Sequence, residues 1–334
     1  MFKRFGILAI FITFVFVIMI GCSSESPVEG QSDDTTDEQN EEQSESSEAS
    51  ASGEQLTIGV SINALANIHN RHMFEYIEEE IEAAGHNAVM VNANGHAVQQ
   101  VNDIENLISQ GVDVIVVQNG DTDALTNVVQ EAVDAGIPVI SQESGWIPGT
   151  SAMFAMNDFA VASELYMMLA GEMGYEGEII TINHNDHPAI RARRNIQDAV
   201  LREYPLIENV NTVTSGFPGT VEIAYSGVES ALLANPNVKA IWATFDLEAI
   251  GAAQAVQAAG RDDILIVGVD GEEEALEMIR DGGPIIATVV GDLRATCIEV
   301  VEVAEKLASG AETLSFYSIP YEIVTEDNVA KYLD

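Results

Sequence analysis

The chain has 334 residues and carries 54 Asp+Glu against 13 Lys+Arg, a formal net charge of −41. That balance excludes a nucleic-acid partner, since phosphate backbones are bound by clustered cations, and it suits a protein kept soluble where salt screens surface carboxylates. Cys22 and Cys297 are the two cysteines, and a core of this length needs no disulfide.

In chain order, the first element is an address. Lys3 and Arg4 precede an apolar run over 7–20, which closes on Met19-Ile20-Gly21-Cys22 and turns abruptly polar. That pattern is a secretory signal, and the run falls short of the ~20 residues that a membrane span prefers. The Gly-Cys ending resembles the lipobox of bacterial lipoproteins, whose cysteine is acylated and becomes the mature N-terminus. Residues 1–22 therefore read as a lipoprotein signal peptide, Cys22 as the lipidation site, and the remainder as an extracytoplasmic chain held at the membrane. Residues 23–54 have almost no apolar content and no basic residue. Such a stretch cannot bury enough surface to offset its ordering entropy, so it is expected to be a disordered acidic tether.

Past residue 54, apolar runs alternate with helical periodicities. Strands are predicted at 56–62, 88–91, 112–117 and 137–141. Between them lie helices marked by Phe74, Ile77, Ile81 and Ala84, by Val101, Ile104 and Ile108, and by the stretch 122–135. The pattern then restarts, with helices near 158–173, 188–203, 221–233 and 247–259 and strands at 178–183, 210–214, 238–243 and 264–269. Alternating strands and helices imply parallel sheets built from right-handed crossovers. Two successive runs imply an α/β fold of two doubly wound parallel-sheet lobes. In such sheets ligands sit at the carboxyl ends of the strands, so the loops after each strand are the candidate site.

Six stretches stand in order along the chain: "QLTIGVSINALAN", "LISQGVDVIVVQNGDTDAL", "AVDAGIPVIS", "RARRNIQDAV", "NPNVKAIWATFDLEAIGAAQAVQAAG" and "ILIVGVDG". Together they resemble the periplasmic binding proteins of the ribose-binding type, the sugar receptors of ABC importers. The resemblance implies two lobes joined by a three-stranded hinge: 55–156 plus 292–320 as the N-terminal lobe, and 157–291 plus 321–334 as the C-terminal lobe. It implies a receptor rather than an enzyme, a monomer without cofactor, which captures a neutral sugar or polyol and delivers it to the permease subunits of an ABC importer.

Carried over position by position, the family's cleft contacts fall on nine residues. Asn67 matches a polar contact in the first loop, and His69 and Asn70 replace paired aromatic residues there. Glu143 keeps an acceptor role where relatives carry an aspartate and an arginine, with Trp146 as an aromatic wall. Asn157 matches the first crossover. Arg191 aligns with a ligand-binding arginine, Phe245 puts a ring where relatives often have asparagine, and Asp270 matches a carboxylate that bonds sugar hydroxyls. On a helix, Arg191 and Arg194 share a face while Arg193 points elsewhere, so Arg191 is the arginine expected in the cleft.

Other readings are weaker. No G-x-S-x-G elbow, G-x-x-x-x-G-K-[ST] loop or G-x-G-x-x-G turn marks an enzyme. His184, Asp186 and His187 offer metal-ligand types at close spacing, but a polar loop without metal accounts for them more simply. A signalling receptor for a sugar-like molecule, resembling the autoinducer-2 or chemoreceptor-coupled members of the superfamily, shares all these features.

Overall fold

The computed structural model describes residues 55–65, 67–184 and 187–333. The predicted signal peptide, Cys22, the tether and Asp186 lie outside the described residues. The first half of the domain runs β1 (Thr57–Ile62), α1 (Ile68–Ala83), β2 (Asn87–Asn92), α2 (Ala97–Gln110), β3 (Val114–Gln118), α3 (Thr122–Asp134), β4 (Val139–Gln142) and β5 (Ala152–Ala155). The second half runs α4 (Asp158–Glu172), β6 (Gly177–Asn183), α5 (Pro188–Glu203), β7 (Ile207–Thr214), α6 (Thr220–Ala234), β8 (Val238–Ala243), α7 (Asp246–Ala258), β9 (Leu265–Val267), α8 (Glu273–Arg280) and β10 (Ile285–Gly291). The chain closes with α9 (Leu293–Ala308), β11 (Phe316–Ser318), β12 (Tyr321–Val324) and a 3-10 turn at Val329–Lys331.

The strands form two six-stranded sheets, ordered β11-β5-β4-β3-β1-β2 and β12-β10-β9-β8-β6-β7. Among the described strands, only β10 and β12 pair antiparallel. Burial on both faces explains the apolar runs: every residue of β3 is buried, as helices cover each side of a parallel sheet. α1 supplies one apolar stripe, Met73, Ile77 and Ile81, whereas α7 is buried on most of its circumference.

Two lobes result, and the packing shows which helix serves which sheet. Val161, Leu165, Tyr166 and Leu169 of α4 pack with Trp242 and Val267 of the second sheet. Cys297, Val300, Val301 and Ala304 of α9 pack with Ile58, Val60 and Val116 of the first. The chain therefore changes lobe between β5 and α4, between β10 and α9, and between β11 and β12. The crossings converge at Gly291, where an added Cβ would stand 3.1 Å from Met156 Cε and 3.5 Å from Ile319 Cγ2. That close approach leaves little room for a side chain at the hinge.

Elements outside the predicted set are α8, β10, α9 and β12, together with the short strands β5 and β11. β5 is four residues long, Ala-Met-Phe-Ala, and has no β-branched residue. β11 is three residues long and mostly exposed. Both are too short to be told from loop by pattern, although Phe154, Phe316 and Tyr317 favour strands; pairing with neighbouring strands builds them into the sheet.

Candidate functional site

The loops that end the strands of one sheet face those of the other, and the polar residues gather there. Asn67 caps α1: its Oδ1 accepts from Asn70 N at 2.8 Å, and its Nδ2 donates to Asp270 Oδ2 of the other lobe at 3.3 Å. The second residue of α1, His69, is only 6% exposed, and its Nε2 lies 3.7 Å from Glu143 Oε2. At that distance the two form an ion pair without a hydrogen bond. His69 Nε2 and Glu143 Oε1 are both buried without a hydrogen-bond partner, as are Asn183 Nδ2 and His187 Nε2. Buried polar atoms are nearly always satisfied, so four unsatisfied ones around one cleft mark a place for polar ligand atoms.

Both acids stand on unusual backbone. Glu143 has φ 58° and Asp270 φ 129°, in regions that favour glycine. Strain of about 1–3 kcal/mol per residue persists only where the surroundings hold it, commonly at functional sites.

Burial would push the Glu143 carboxyl up, yet His69 and Arg193 hold it below its ordinary value of 4.5. Burial likewise works against a charged His69, but Glu143 and Asp270 raise it above 6.5. For Asp270 burial wins: the carboxyl is pushed up to about 6 despite His69 and Arg193. His187 is pushed down to about 4 by burial. The centre of the cleft thus holds an ionised Glu143 beside a cationic arginine.

That arginine is Arg193. It is 5% exposed; its Nε and Nη2 each lie 2.8 Å from Asp158 Oδ1, and its Nη1 donates to Thr244 O at 2.6 Å. Arg191, expected in the cleft, is exposed, and it is Arg193 that is buried. The reason is helical phase. His187 caps α5 and Pro188 opens it, so the buried stripe runs Ile190, Arg193, Gln197 and Val200. Arg191 lies two residues, about 200°, away from Arg193. The spacing of apolar residues around the arginines carried this signal, and the choice between arginines by alignment overlooked it.

The other expected residues divide. Phe245 is 3% exposed and stacks on Phe217, with centroids 5.6 Å apart and planes at 28°. His184 meets both rings edge-on at 5.6 and 5.7 Å. Phe217 is a ring that the sequence reading did not single out. Asn70 serves the lobe itself, donating to Ala64 O at 3.0 Å and accepting from Asn119 at 2.6 Å. Asn157 is exposed and caps α4 through Ala160 N at 3.2 Å. Trp146 is 48% exposed, next to Gly145, where a side chain would meet Pro188 of the other lobe at 3.5 Å. Among the described residues no group of His, Cys, Asp and Glu is arranged to hold a metal ion.

Two α/β lobes, hinged by three crossings and presenting opposed polar loops, define a two-lobed ligand-binding protein. The chain matches the family model described as a periplasmic binding protein domain over residues 58–312, and it belongs to that family. It is similar to the ribose import binding protein of Bacillus subtilis, 25% identical over 283 residues that cover 83% of this chain and 90% of that one. It is similar also to a putative rhizopine-binding protein of Rhizobium meliloti, 30% identical over 251 residues, covering 72% and 80%. Among solved structures, an ABC transporter solute-binding protein of Bacillus halodurans with bound myo-inositol superposes with a TM-score of 0.75 at 29% identity, covering 83% and 97%. The family is one of extracytoplasmic binding proteins, not enzymes. No helix among the described residues is long and apolar enough to cross a membrane.

Proposed function

We propose that this protein captures a neutral sugar or polyol between its lobes and delivers it to an ABC importer, acting as a monomer tethered through an acylated Cys22. The four unsatisfied buried polar atoms around the cleft carry this reading. Ligand hydroxyls both donate and accept, so they can serve Glu143 Oε1 and the donors of Arg193 and Asn183 at once. The stacked pair of Phe217 and Phe245 offers an apolar face nearby. Charge argues against an anionic ligand: Glu143, Asp158 and Asp270 outnumber Arg193 and His69. The contacts we assign are Asn67, His69, Glu143, Arg193, Phe245 and Asp270. Relatives support the ligand class: proteins named for ribose, D-apiose and xylitol are among them.

The test is a thermal-shift panel of D-ribose, D-apiose, xylitol, allitol and myo-inositol, with sugar acids of equal size as controls. A ligand at a hundred times its Kd stabilises the folded state by ~2.7 kcal/mol, a shift of several degrees. No shift with any neutral member, or a larger one with an acid, sinks the assignment.

The anchor has its own test. Expressed in a bacterium, the wild-type chain is expected in the detergent phase of a Triton X-114 partition, and the Cys22→Ser chain in the aqueous phase. Both chains in the aqueous phase would refute acylation.

A further inference from the structure

The two lobes touch through a second contact, at the edge of the ligand cluster and next to the Asn67–Asp270 bond. Ile68 is the first residue of α1, and its N–H donates to Glu272 Oε1 of the other lobe at 2.9 Å. A helix start leaves its first N–H groups without intrahelical partners. Asn67 satisfies Asn70 N and not Ile68 N, and the first turn of α1 holds no acidic residue. The carboxylate that α1 lacks locally is therefore supplied from across the cleft.

Glu272 is built for that reach. It occupies the cap position of α8, yet its side chain makes no capping bond to α8. Its own N–H donates to Asp246 Oδ2 at 2.8 Å, and Asp246, fully buried, also accepts from Thr288 Oγ1 at 2.8 Å. A Cβ at Gly268 would collide with Asp246, so the loop 268–272 is seated tightly on this carboxylate. The seat aims Glu272 at the positive end of α1, where a negative charge is stabilising.

We infer that Glu272 is a positioning residue for ligand capture, a latch that holds the lobes closed by capping α1 of the opposite lobe. Opening the hinge breaks the bond to Ile68 N and returns both groups to water. Ligand release is thereby slowed by a contact outside the cluster of Glu143, His69 and Arg193. The effect on release rests on the cleft being the ligand site; the effect on closure does not.

The test uses the full chain as wild type, Glu272→Ala, Glu272→Gln, Ile68→Pro and the Glu272→Ala/Ile68→Pro double variant. Ile68→Pro deletes the donor without breaking the helix, because proline is favoured at the first helical position. Asn67, at φ −129° and ψ 174°, already has the extended backbone that a following proline requires. Small-angle scattering reads closure, and release of myo-inositol and D-ribose reads retention. Removing either partner is expected to raise the open-to-closed ratio about five- to thirtyfold. The double variant should open no further than either single one, and Glu272→Gln should fall between wild type and Glu272→Ala. Whichever probe binds should dissociate faster by a similar factor, with its association rate unchanged. Scattering profiles identical to wild type in all variants, or a double variant equal to the sum of the singles, would overturn the latch. If neither probe binds, scattering alone decides the latch, and the sugar panel decides the ligand reading.

Discussion

Arg193→Ala is expected to abolish ligand binding and to destabilise the domain by about 3–5 kcal/mol, the range for breaking a buried ion pair from one side. The guanidinium pairs with Asp158 and holds Thr244 O, and its charge lowers Asp158, Glu143 and Asp270 against the burial that raises each of them. Without it, three carboxylates share a desolvated cleft with His69 as the cation facing them. Arg193→Lys keeps the charge but cannot bond Asp158 and Thr244 O with one planar fork, so it should fall between the two. Arg191→Ala, on the exposed side of the same helix, should stay within about 0.5 kcal/mol and keep its affinity. Urea denaturation and ligand titration of the three variants decide the matter; a larger loss from Arg191→Ala than from Arg193→Ala would reverse the assignment.

The second large effect is a pH dependence centred on Asp246. Burial, with repulsion from Asp270 added, pushes its carboxyl from 3.8 up to about 7. Between those values the folded protein keeps a proton that the unfolded chain has released. Its contribution to stability is therefore full below about 4 and is lost as pH rises through about 7. Shifts of this size correspond to on the order of 4 kcal/mol between the two limits. Asp270 and Glu248, both raised to about 6 chiefly by burial, act in the same sense. Glu143, lowered from 4.5, opposes them as pH falls through its depressed value, and His187, lowered to about 4, opposes them more weakly as pH falls below its ordinary 6.5. Wild-type protein should thus resist urea better at pH 5 than at pH 8. Asp246→Asn, which keeps an acceptor for Thr288 Oγ1 and Glu272 N, should flatten that slope. An unchanged slope in the variant would place the proton elsewhere. Self-repulsion at a net charge of −41 also weakens the fold as pH rises, but it is screened by salt. The Asp246 contribution, buried, is screened far less.

Much of the architecture was legible in the chain because it depends on local pattern. The apolar run 112–117 could be a strand buried on both faces, and β3 is one. The period of Ile77 and Ile81 placed the inner face of α1. The loops named as candidates from strand ends include Asn67, Glu143, Phe245 and Asp270; Asn67 bonds Asp270, Glu143 pairs with His69, and Phe245 stacks on Phe217. Three arginines in four positions look alike until the start of the helix is known. His187 as cap and Pro188 as first residue set that start, and with it which arginine is buried. Asn70 and Asn157 are polar residues of the expected type in the expected loops, yet a neighbouring loop and a helix end consume their hydrogen bonds.

The sequence by itself determined the class of fold, the alternation of strands and helices and the loops that face the cleft, since hydrophobic period and strand ends are properties of short segments. Only the tertiary structure decided which groups meet. The Asn67–Asp270 and Ile68–Glu272 contacts join residues more than two hundred positions apart. The pairing of Arg193 with Asp158, and the perturbed protons of Asp246 and Asp270, likewise follow from burial and proximity across packed elements. Electrostatic energies grow as water is removed, and no stretch of sequence reveals how much water a folded cleft excludes.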